Sequence, residues 1–236
     1  MNAKRIVAGL LALAAAQCAG AGVFSVTPVR IYMTPKDRAI AVTITNEADE
    51  PVALQADVYE WKQSADGVDE LVPSEDLILA PPITKLGPKA KQVVRLARLT
   101  PPDASRQLTY RLILRELPDA NLSKGITVPV ALALSMPVFI TPPAAKARVA
   151  CEAKREEGAA VFVYCANTGN AYTQVREVIA NQNTQTVGRF QGGAYVLPGV
   201  RRRIALSAEK PIPAGAIQLL VMYDDGSSQT FDLPPL

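Results

Sequence analysis

The sequence contains no histidine, three cysteines and few aromatic residues, which make up 6% of its 236 positions. Without an imidazole the chain cannot build a Ser-His-Asp or Cys-His catalytic arrangement, and it has no histidine ligand for zinc. It also lacks a GxSxG elbow, a Walker loop and a GxGxxG fingerprint. These absences predict a protein that is not an enzyme, has no catalytic residues and uses no metal or other cofactor.

The sequence also has little net charge, because its 25 basic residues are nearly balanced by 22 acidic ones. Its net charge of +3 falls to +1 once Lys4 and Arg5 are removed with a signal peptide. A nearly neutral chain has no electrostatic reason to bind nucleic acid or an acidic membrane. No uninterrupted run of about 18 apolar residues follows the N-terminal region, so no membrane insertion is expected after signal cleavage.

The N-terminal region has the pattern of a secretory signal peptide. A positive segment precedes the apolar core Ile6–Ala16, and Ala19-Gly20-Ala21 matches an A-x-A cleavage site. The apolar core is too short to cross about 30 Å of hydrocarbon as an anchor. A lipoprotein at Cys18 is the alternative, but it would require a small residue where Gln17 stands. We therefore predict a signal peptide over residues 1–21, cleaved near Ala21, and export from the cytoplasm.

The two remaining cysteines flank the stretch CEAKREEGAAVFVYC. Gly158 lies midway between Cys151 and Cys165, so a hairpin turning at Glu157-Gly158 would place the two sulfurs opposite each other. Outside the cytoplasm this arrangement favours a disulfide. The alternative, a metal pair, lacks partners because the chain has no histidine.

The rest of the chain consists of short β-rich runs separated by Pro, Gly, Asn and Asp. The runs fall into two sets, joined by the stiff segment TPPAAK at 141–146. About seven strands with turns between them predict an immunoglobulin-like sandwich, and the pattern occurs twice. We predict an all-β fold with one domain over 22–141 and a second over 142–236. The predicted strands are 23–33, 39–45, 52–61, 76–80, 92–99, 110–117 and 126–140, then 148–153, 159–166, 175–180, 193–198, 201–207, 216–224 and 228–233.

The run GITVPVALALSMPVFITP stands apart, because every even position from 126 to 140 is apolar. The odd positions are small, polar or proline, with Phe139 as the exception. Pro129 and Pro137 have no N–H to donate, which places the strand at a sheet edge. Proteins normally avoid a long apolar edge because it is an aggregation template. The even residues are Ile126, Val128, Val130, Leu132, Leu134, Met136, Val138 and Ile140.

Other residues allow two interpretations. Arg30 interrupts an apolar pattern, either as an edge arginine in solvent or as an anion-binding group. Arg201-Arg202-Arg203 is typical of a solvated strand end, with a partner patch as the alternative. Tyr59 and Trp61 are expected to pack in or beside a core. Asp224-Asp225 precedes a glycine and is better explained as a hairpin turn than as a catalytic carboxylate pair.

Four motifs follow one another in a specific order: FSVTPVRIYMTP with AVTITN, APPITKLGPKAKQVVRL, YRLILRELP, and the alternating strand ending in VFITP. With these motifs the chain resembles the periplasmic chaperones of the chaperone–usher pathway, over nearly its whole mature length. The resemblance implies two immunoglobulin-like domains in a boomerang arrangement. It also implies a periplasmic protein that completes pilus subunits with an edge strand and delivers them to an outer-membrane usher. The donor residues would be Ile126, Val128, Val130, Leu132, Leu134 and Met136.

The resemblance further implies that Arg30 holds the C-terminal carboxylate of the subunit. The family's second anchor is a lysine where this chain has Pro137, and its arginine-proline is replaced by Thr141-Pro142. The charge network between the domains must therefore differ in this branch of the family. A substitute cation could be supplied by Arg111, Arg115 or Lys124.

Two other functions are compatible with the pattern. The chain could itself be a pilus subunit or adhesin, although its apolar strand lies mid-chain rather than in an N-terminal extension. A secreted carbohydrate-binding sandwich would need an aromatic platform, which 6% aromatic residues do not favour. The free protein could be a monomer or a homodimer that caps its own exposed strand, and the sequence does not decide between them.

Overall fold

The computed structural model describes residues 24–117, 131–156, 160–212 and 214–235. All regular structure in these ranges is β-strand, which confirms the predicted all-β class. Seventeen strands of the described residues form four sheets that pair into two sandwiches. In the described part of the chain, no helix is long and apolar enough to cross a membrane.

The first sandwich packs a four-stranded sheet, in the order β1-β3-β8-β6, against a six-stranded sheet, in the order β2-β10-β9-β4-β5 with β7 beside β4. Among the strand pairs that the structure describes here, the pairing of β2 with β10 is parallel and the others are antiparallel. The strands are β1 (Phe24–Thr27), β2 (Ile31–Met33), β3 (Ala39–Asn46), β4 (Val52–Gln63), β5 (Asp69–Pro73), β6 (Leu77–Ala80), β7 (Ile83–Leu86), β8 (Lys91–Arg98), β9 (Leu108–Glu116) and β10 (Ala133–Ile140).

The second sandwich packs a three-stranded sheet, in the order β11-β12-β15, against a four-stranded sheet, in the order β14-β13-β16-β17. Its strands are all antiparallel. They are β11 (Val149–Arg155), β12 (Val161–Asn167), β13 (Thr173–Gln182), β14 (Gln185–Val196), β15 (Arg201–Ala205), β16 (Ile217–Tyr223) and β17 (Ser228–Leu233).

Alternation of side chains builds both cores. Strand β12 turns Val161, Val163, Cys165 and Asn167 inward and leaves the residues between them half-buried. Successive side chains of a strand point to opposite faces, so this pattern gives one apolar face per strand. Each sandwich therefore has its own cluster of buried aliphatic side chains between its two sheets.

A buried asparagine ends one strand of each sandwich and holds the adjacent turns. The Asn46 amide donates to the carbonyls of Glu50 and Gly87, at 2.8 Å each. The Asn167 amide donates to the carbonyl of Ala171 at 2.8 Å. A buried amide is costly without partners, and here it supplies donors to turn carbonyls that the strand ladders leave unpaired.

The structure departs from the predicted strands in five places. Strand β14 begins at Gln185 rather than at 193, and β10 begins at Ala133, so the described residues 131 and 132 precede a strand that was predicted from 126. Strand β5 was not predicted, because all five of its residues are exposed and it lacks an alternating apolar pattern. The four-residue β7 was not predicted either, because its first two residues reverse the hydrophobic pattern: Ile83 is exposed and Thr84 is buried. The predicted strand 23–33 is broken at Pro28, and its halves join different sheets, β1 with β3 and β2 with β10.

Candidate partner-binding strand and domain junction

Strand β10 has one side of its backbone open over most of its length. It pairs with β9 from Ala133 to Ile140, but with β2 only from Val138 to Ile140. No other described strand borders the segment from Ala133 to Pro137. An open edge of this kind presents unpaired N–H and C=O groups to an incoming strand.

Backbone hydrogen bonds show which residues face that open edge. The Glu116 N–H donates to the Leu132 carbonyl, toward β9, and the Thr141 N–H donates to the Met33 carbonyl, toward β2. Antiparallel strands alternate the direction of these groups, so the odd residues of β10 face away from β9. Ala133 and Ser135 therefore offer backbone groups to a partner strand, and the missing N–H of Pro137 lies on the same side.

The even side chains of the alternating run become less buried from Ile140 toward Leu132. Val138 and Ile140 are buried, and Met136 is only 3% exposed. Leu134 and Leu132 are half-buried and pack against the same core. In the described part of the strand, these two leucines are the apolar side chains that a partner could still cover. The other predicted donor residues, Ile126, Val128 and Val130, lie outside the described residues.

Phe139, the exception in the alternating run, points to the other side and joins the two sandwiches. Its ring stacks on Tyr172 with centroids 3.9 Å apart and on Tyr32 with centroids 5.7 Å apart. Trp61 and Tyr195 complete the cluster, with centroids 5.0 Å apart in an edge-on contact. We call these five residues the aromatic junction. Trp61 and Phe139 are buried with the core of the second sandwich rather than the first.

Arg30 lies at the edge of this junction, where it joins the two sandwiches. Its Nη1 donates to Asp224 Oδ2 at 3.1 Å and to the Tyr32 hydroxyl at 3.3 Å, and its Nη2 donates to Gln174 Oε1 at 2.7 Å. Asp224 also accepts from the Tyr172 hydroxyl and from the Gln174 N–H, at 3.1 Å each. Arg30 is thus neither an isolated surface arginine nor an empty anion site in this structure.

Two tyrosine hydroxyls of the junction, those of Tyr172 and Tyr195, keep their protons to a higher pH than usual because the pKa of each is raised. Burial raises the pKa of Tyr172, and its hydrogen bond with Tyr32 and the charge of Asp224 raise it further. Burial also raises the pKa of Tyr195, although the nearby charges of Arg30 and Arg111 act in the opposite direction. The negative charge in this network therefore belongs to Asp224 alone.

Arg111 is a second cation at the junction. It lies on β9, where it is paired with Pro137 of β10. Its guanidinium lies 3.7 Å from the centroid of Trp61 and 5.5 Å from that of Tyr195. Burial lowers the pKa of Arg111, and the charge of Asp69 partly offsets this effect. Among the residues that the structure describes, Arg111 has no ion pair or side-chain hydrogen bond. Stacking on an aromatic face holds such a cation while leaving its N–H groups for a partner.

The other two candidate cations differ from Arg111. Arg115 pairs with Asp57 and contacts the Tyr59 hydroxyl at 3.4 Å. Lys124 lies outside the described residues. Thr141, where the resemblance predicts an arginine, accepts a 2.6 Å hydrogen bond from Gln107 Nε2. The charged links that the described residues make between the sandwiches are Arg30 with Asp224 and, at 3.9 Å, Arg202 with Asp69.

The predicted disulfide joins Cys151 and Cys165, which face each other on β11 and β12. The hairpin residues 157–159 lie outside the described residues. On the neighbouring strand the arginine triplet is split: Arg202 points toward the junction and donates to the Tyr195 carbonyl at 2.9 Å. Arg201 and Arg203 pair with glutamates on the outer face. Their charge is balanced locally, as expected of a solvated strand.

Sequence reasoning missed most of the junction. Tyr172, Gln174 and Tyr195 carry no local pattern that marks them, and their hydrogen-bond partners in the first sandwich are more than a hundred positions away. Phe139 did carry a signal, because it breaks the alternation of the run. Asp224 follows β16 and begins the predicted hairpin to β17, which the structure confirms. Within the described ranges, no group of acidic residues and cysteines is placed to hold a metal ion.

Solved structures share this fold at low sequence identity. The chaperone–tip-adhesion-subunit pre-assembly complex CsuC–CsuE of Acinetobacter baumannii matches with a TM-score of 0.66 and 17% identity, over 91% of this chain and 100% of that chain. The Escherichia coli chaperone DraB matches with a TM-score of 0.55 and 19% identity, over 89% and 98%. The SafB chaperone complex with SafA pilin of Salmonella enterica matches at 0.58 and 16%, over 89% and 95%.

These likenesses place the fold among two-domain pilus chaperones. No protein of curated function matches the chain by sequence. The family model described as pili and flagellar-assembly chaperone, PapD N-terminal domain, matches residues 23–146, more than half of the chain. The chain belongs to this family of assembly chaperones.

Proposed function

We propose that the protein is a periplasmic chaperone that stabilises pilus subunits by donating the edge of β10 and hands them to an outer-membrane usher. The observation that carries this proposal is the open edge from Ala133 to Pro137, next to the half-buried Leu132 and Leu134. A subunit that lacks one strand would gain main-chain hydrogen bonds from this edge and apolar side chains from every second residue. Family membership and the chaperone–subunit complexes among the similar structures support the same function.

The energy of capture would come from apolar burial. Covering the predicted donors Ile126, Val128 and Val130 contributes on the order of 1.5–3 kcal/mol for each side chain that passes from exposed to fully buried. Leu132 and Leu134 contribute less, because they are already half-buried. Binding entropy subtracts from this sum, so several side chains are needed for a stable complex. Met136 would contribute less than predicted, since it is already buried in its own domain.

The decisive experiment is co-expression with a pilus subunit from the same genome, followed by purification of the chaperone from the periplasm. Leu132→Glu should leave the chaperone folded and abolish recovery of the subunit, because a carboxylate would enter the subunit's apolar groove. Ala133→Glu is the matched control: it adds the same charge one residue along, on the exposed odd face. Equal subunit yields from the two variants would refute donation by the even face.

We also propose that Arg30 and Arg111 together receive the subunit's C-terminal carboxylate. Both guanidinium groups lie beside Tyr195, with centroid distances of 5.6 and 5.5 Å. Arg111 would supply the second charge that Pro137 cannot. A charge-assisted pair with a terminal carboxylate fixes the register of the incoming strand as well as adding affinity.

A further inference from the structure

The carboxylate of Asp224 already forms an ion pair with Arg30, the arginine that a partner's carboxylate would need. Arg30 Nη1 lies 3.1 Å from Asp224 Oδ2, and the two side chains are 28% and 13% exposed. A guanidinium has five N–H groups. Three of those on Arg30 are directed to Asp224, Tyr32 and Gln174, so two have no partner among the described residues. A second carboxylate at Arg30 would therefore share one cation with Asp224 or replace it.

Asp224 would keep hydrogen-bond partners if its contact with Arg30 were lost. Its carboxylate also accepts from the Tyr172 hydroxyl and from the Gln174 N–H, both in the second sandwich. If Arg30 turned to another carboxylate, these two hydrogen bonds would remain. Arg30 would in turn keep a charged acceptor. Neither group would be left as an unpaired buried charge, which is the state that makes ion pairs hard to break.

We propose that Asp224 is an internal competitor for the partner carboxylate at Arg30, a role that rests on the anchor proposed above. In the free protein the Asp224 charge holds Arg30 and weakens binding of any further anion there. A ligand can displace or share the Arg30–Asp224 contact only if it also pairs as a strand along β10, because its carboxylate alone gains too little binding free energy. Because Arg30 and Asp224 belong to different sandwiches, the exchange also removes one ionic link across the junction.

Acetate titration of the isolated full chain tests this directly, with the Arg30 Nε–H resonance as the readout and Arg30→Lys to assign it. Asp224→Asn should raise the affinity of Arg30 for acetate about tenfold, which is within the range typical of coupling between two ligands. Asp225→Asn is the matched control. It removes the same charge one residue along, where the carboxylate accepts from Ser227 and not from Arg30. It should change the affinity less than twofold, a difference small beside typical couplings.

Unchanged or weaker acetate binding in Asp224→Asn would overturn the proposal, as would an equal gain in Asp225→Asn. An Arg30 resonance that acetate moves in no variant would overturn it too. If Asp224→Asn does not fold, Asp224→Ser is titrated in its place, because its hydroxyl can still accept from the Gln174 N–H. No subunit is present in this experiment, so its outcome is independent of the Leu132→Glu test of strand donation.

Discussion

The ring of Phe139 stacks on that of Tyr172 with centroids 3.9 Å apart and an interplanar angle of 13°, so the last strand of the first sandwich is packed directly against the second. The same strand presents Leu132 and Leu134 at its other end. One element thus carries the candidate donor edge and the main apolar contact between the domains.

Phe139→Ala should lower the free energy of unfolding by about 3–5 kcal/mol, as expected for removal of a fully buried phenylalanine. The loss should exceed that of Phe162→Ala by about 2 kcal/mol, because a partly exposed ring leaves no closed cavity. Phe162 is half-buried on β12, where it contacts the Arg203 guanidinium at 3.4 Å. Urea unfolding of the two variants makes the comparison, and equal losses would mean that the junction adds no stability of its own.

Strands whose hydrophobic pattern is complete within a few neighbouring residues were predicted, and strands without such a pattern were not. The alternation in β3, β12 and β16 depends on neighbouring residues alone, so the sequence predicted these strands within one or two positions. Strand β5 pairs only with β4 and buries nothing, so no hydrophobic period marked it.

The candidate site likewise contains some residues that a local sequence pattern marked and others that none did. The donor face was visible as eight apolar residues at even positions, and Arg30 as a charge in an apolar run. The pairing of Arg30 with Asp224 joins residues 194 positions apart. Asp224 alone predicted nothing more than a hairpin turn, because an acidic residue before glycine is common in turns. Which distant residues meet at the junction depends on how the two sandwiches pack, and no local pattern encodes that.

The Cys151–Cys165 disulfide should contribute about 3 kcal/mol to stability, the value of the chain-entropy model for a loop of this length. The two cysteines are 14 positions apart in sequence. Urea unfolding of the wild-type protein should therefore shift to lower urea in dithiothreitol. The double variant Cys151→Ala, Cys165→Ala should unfold at that lower midpoint with or without the reductant. A wild-type midpoint that full reduction does not move would contradict the expected contribution.

Stability should fall in alkaline solution because of buried tyrosines, Tyr223 in particular. Burial raises the pKa of Tyr223 to about 12, and the charge of Asp225 adds to the shift. An unfolded tyrosine loses its proton near pH 10. The contribution of Tyr223 is therefore fully present below about pH 10 and is lost as the pH rises toward 12, by about 1.4 kcal/mol per pH unit.

Urea unfolding at pH 9, 10 and 11 measures this slope. Tyr223→Phe should show a shallower decline above pH 10, smaller by about one proton per molecule, since the lysines titrate alike in both proteins. Identical slopes would show that Tyr223 does not retain its proton in the folded state.

Arg111 gives the last prediction, because it is the junction cation that no described side chain neutralises. Its charge-assisted hydrogen bond to a subunit carboxylate should be worth about 1.5–3 kcal/mol, so Arg111→Ala should weaken the subunit complex at least tenfold. Arg95→Ala is the matched control, as it removes the same charge from an exposed position on β8, in the other sheet of the same sandwich.

Trp61 is the only tryptophan of the chain and lies under the Arg111 guanidinium, so its emission should change when the wild-type protein binds a subunit. The change in emission should be lost with a subunit truncated by its last residues, whose strand pairing at β10 remains but whose carboxylate no longer reaches the junction. An Arg111→Ala complex as tight as that of Arg95→Ala would exclude Arg111 from the anchor and leave Arg30 as the sole cation there.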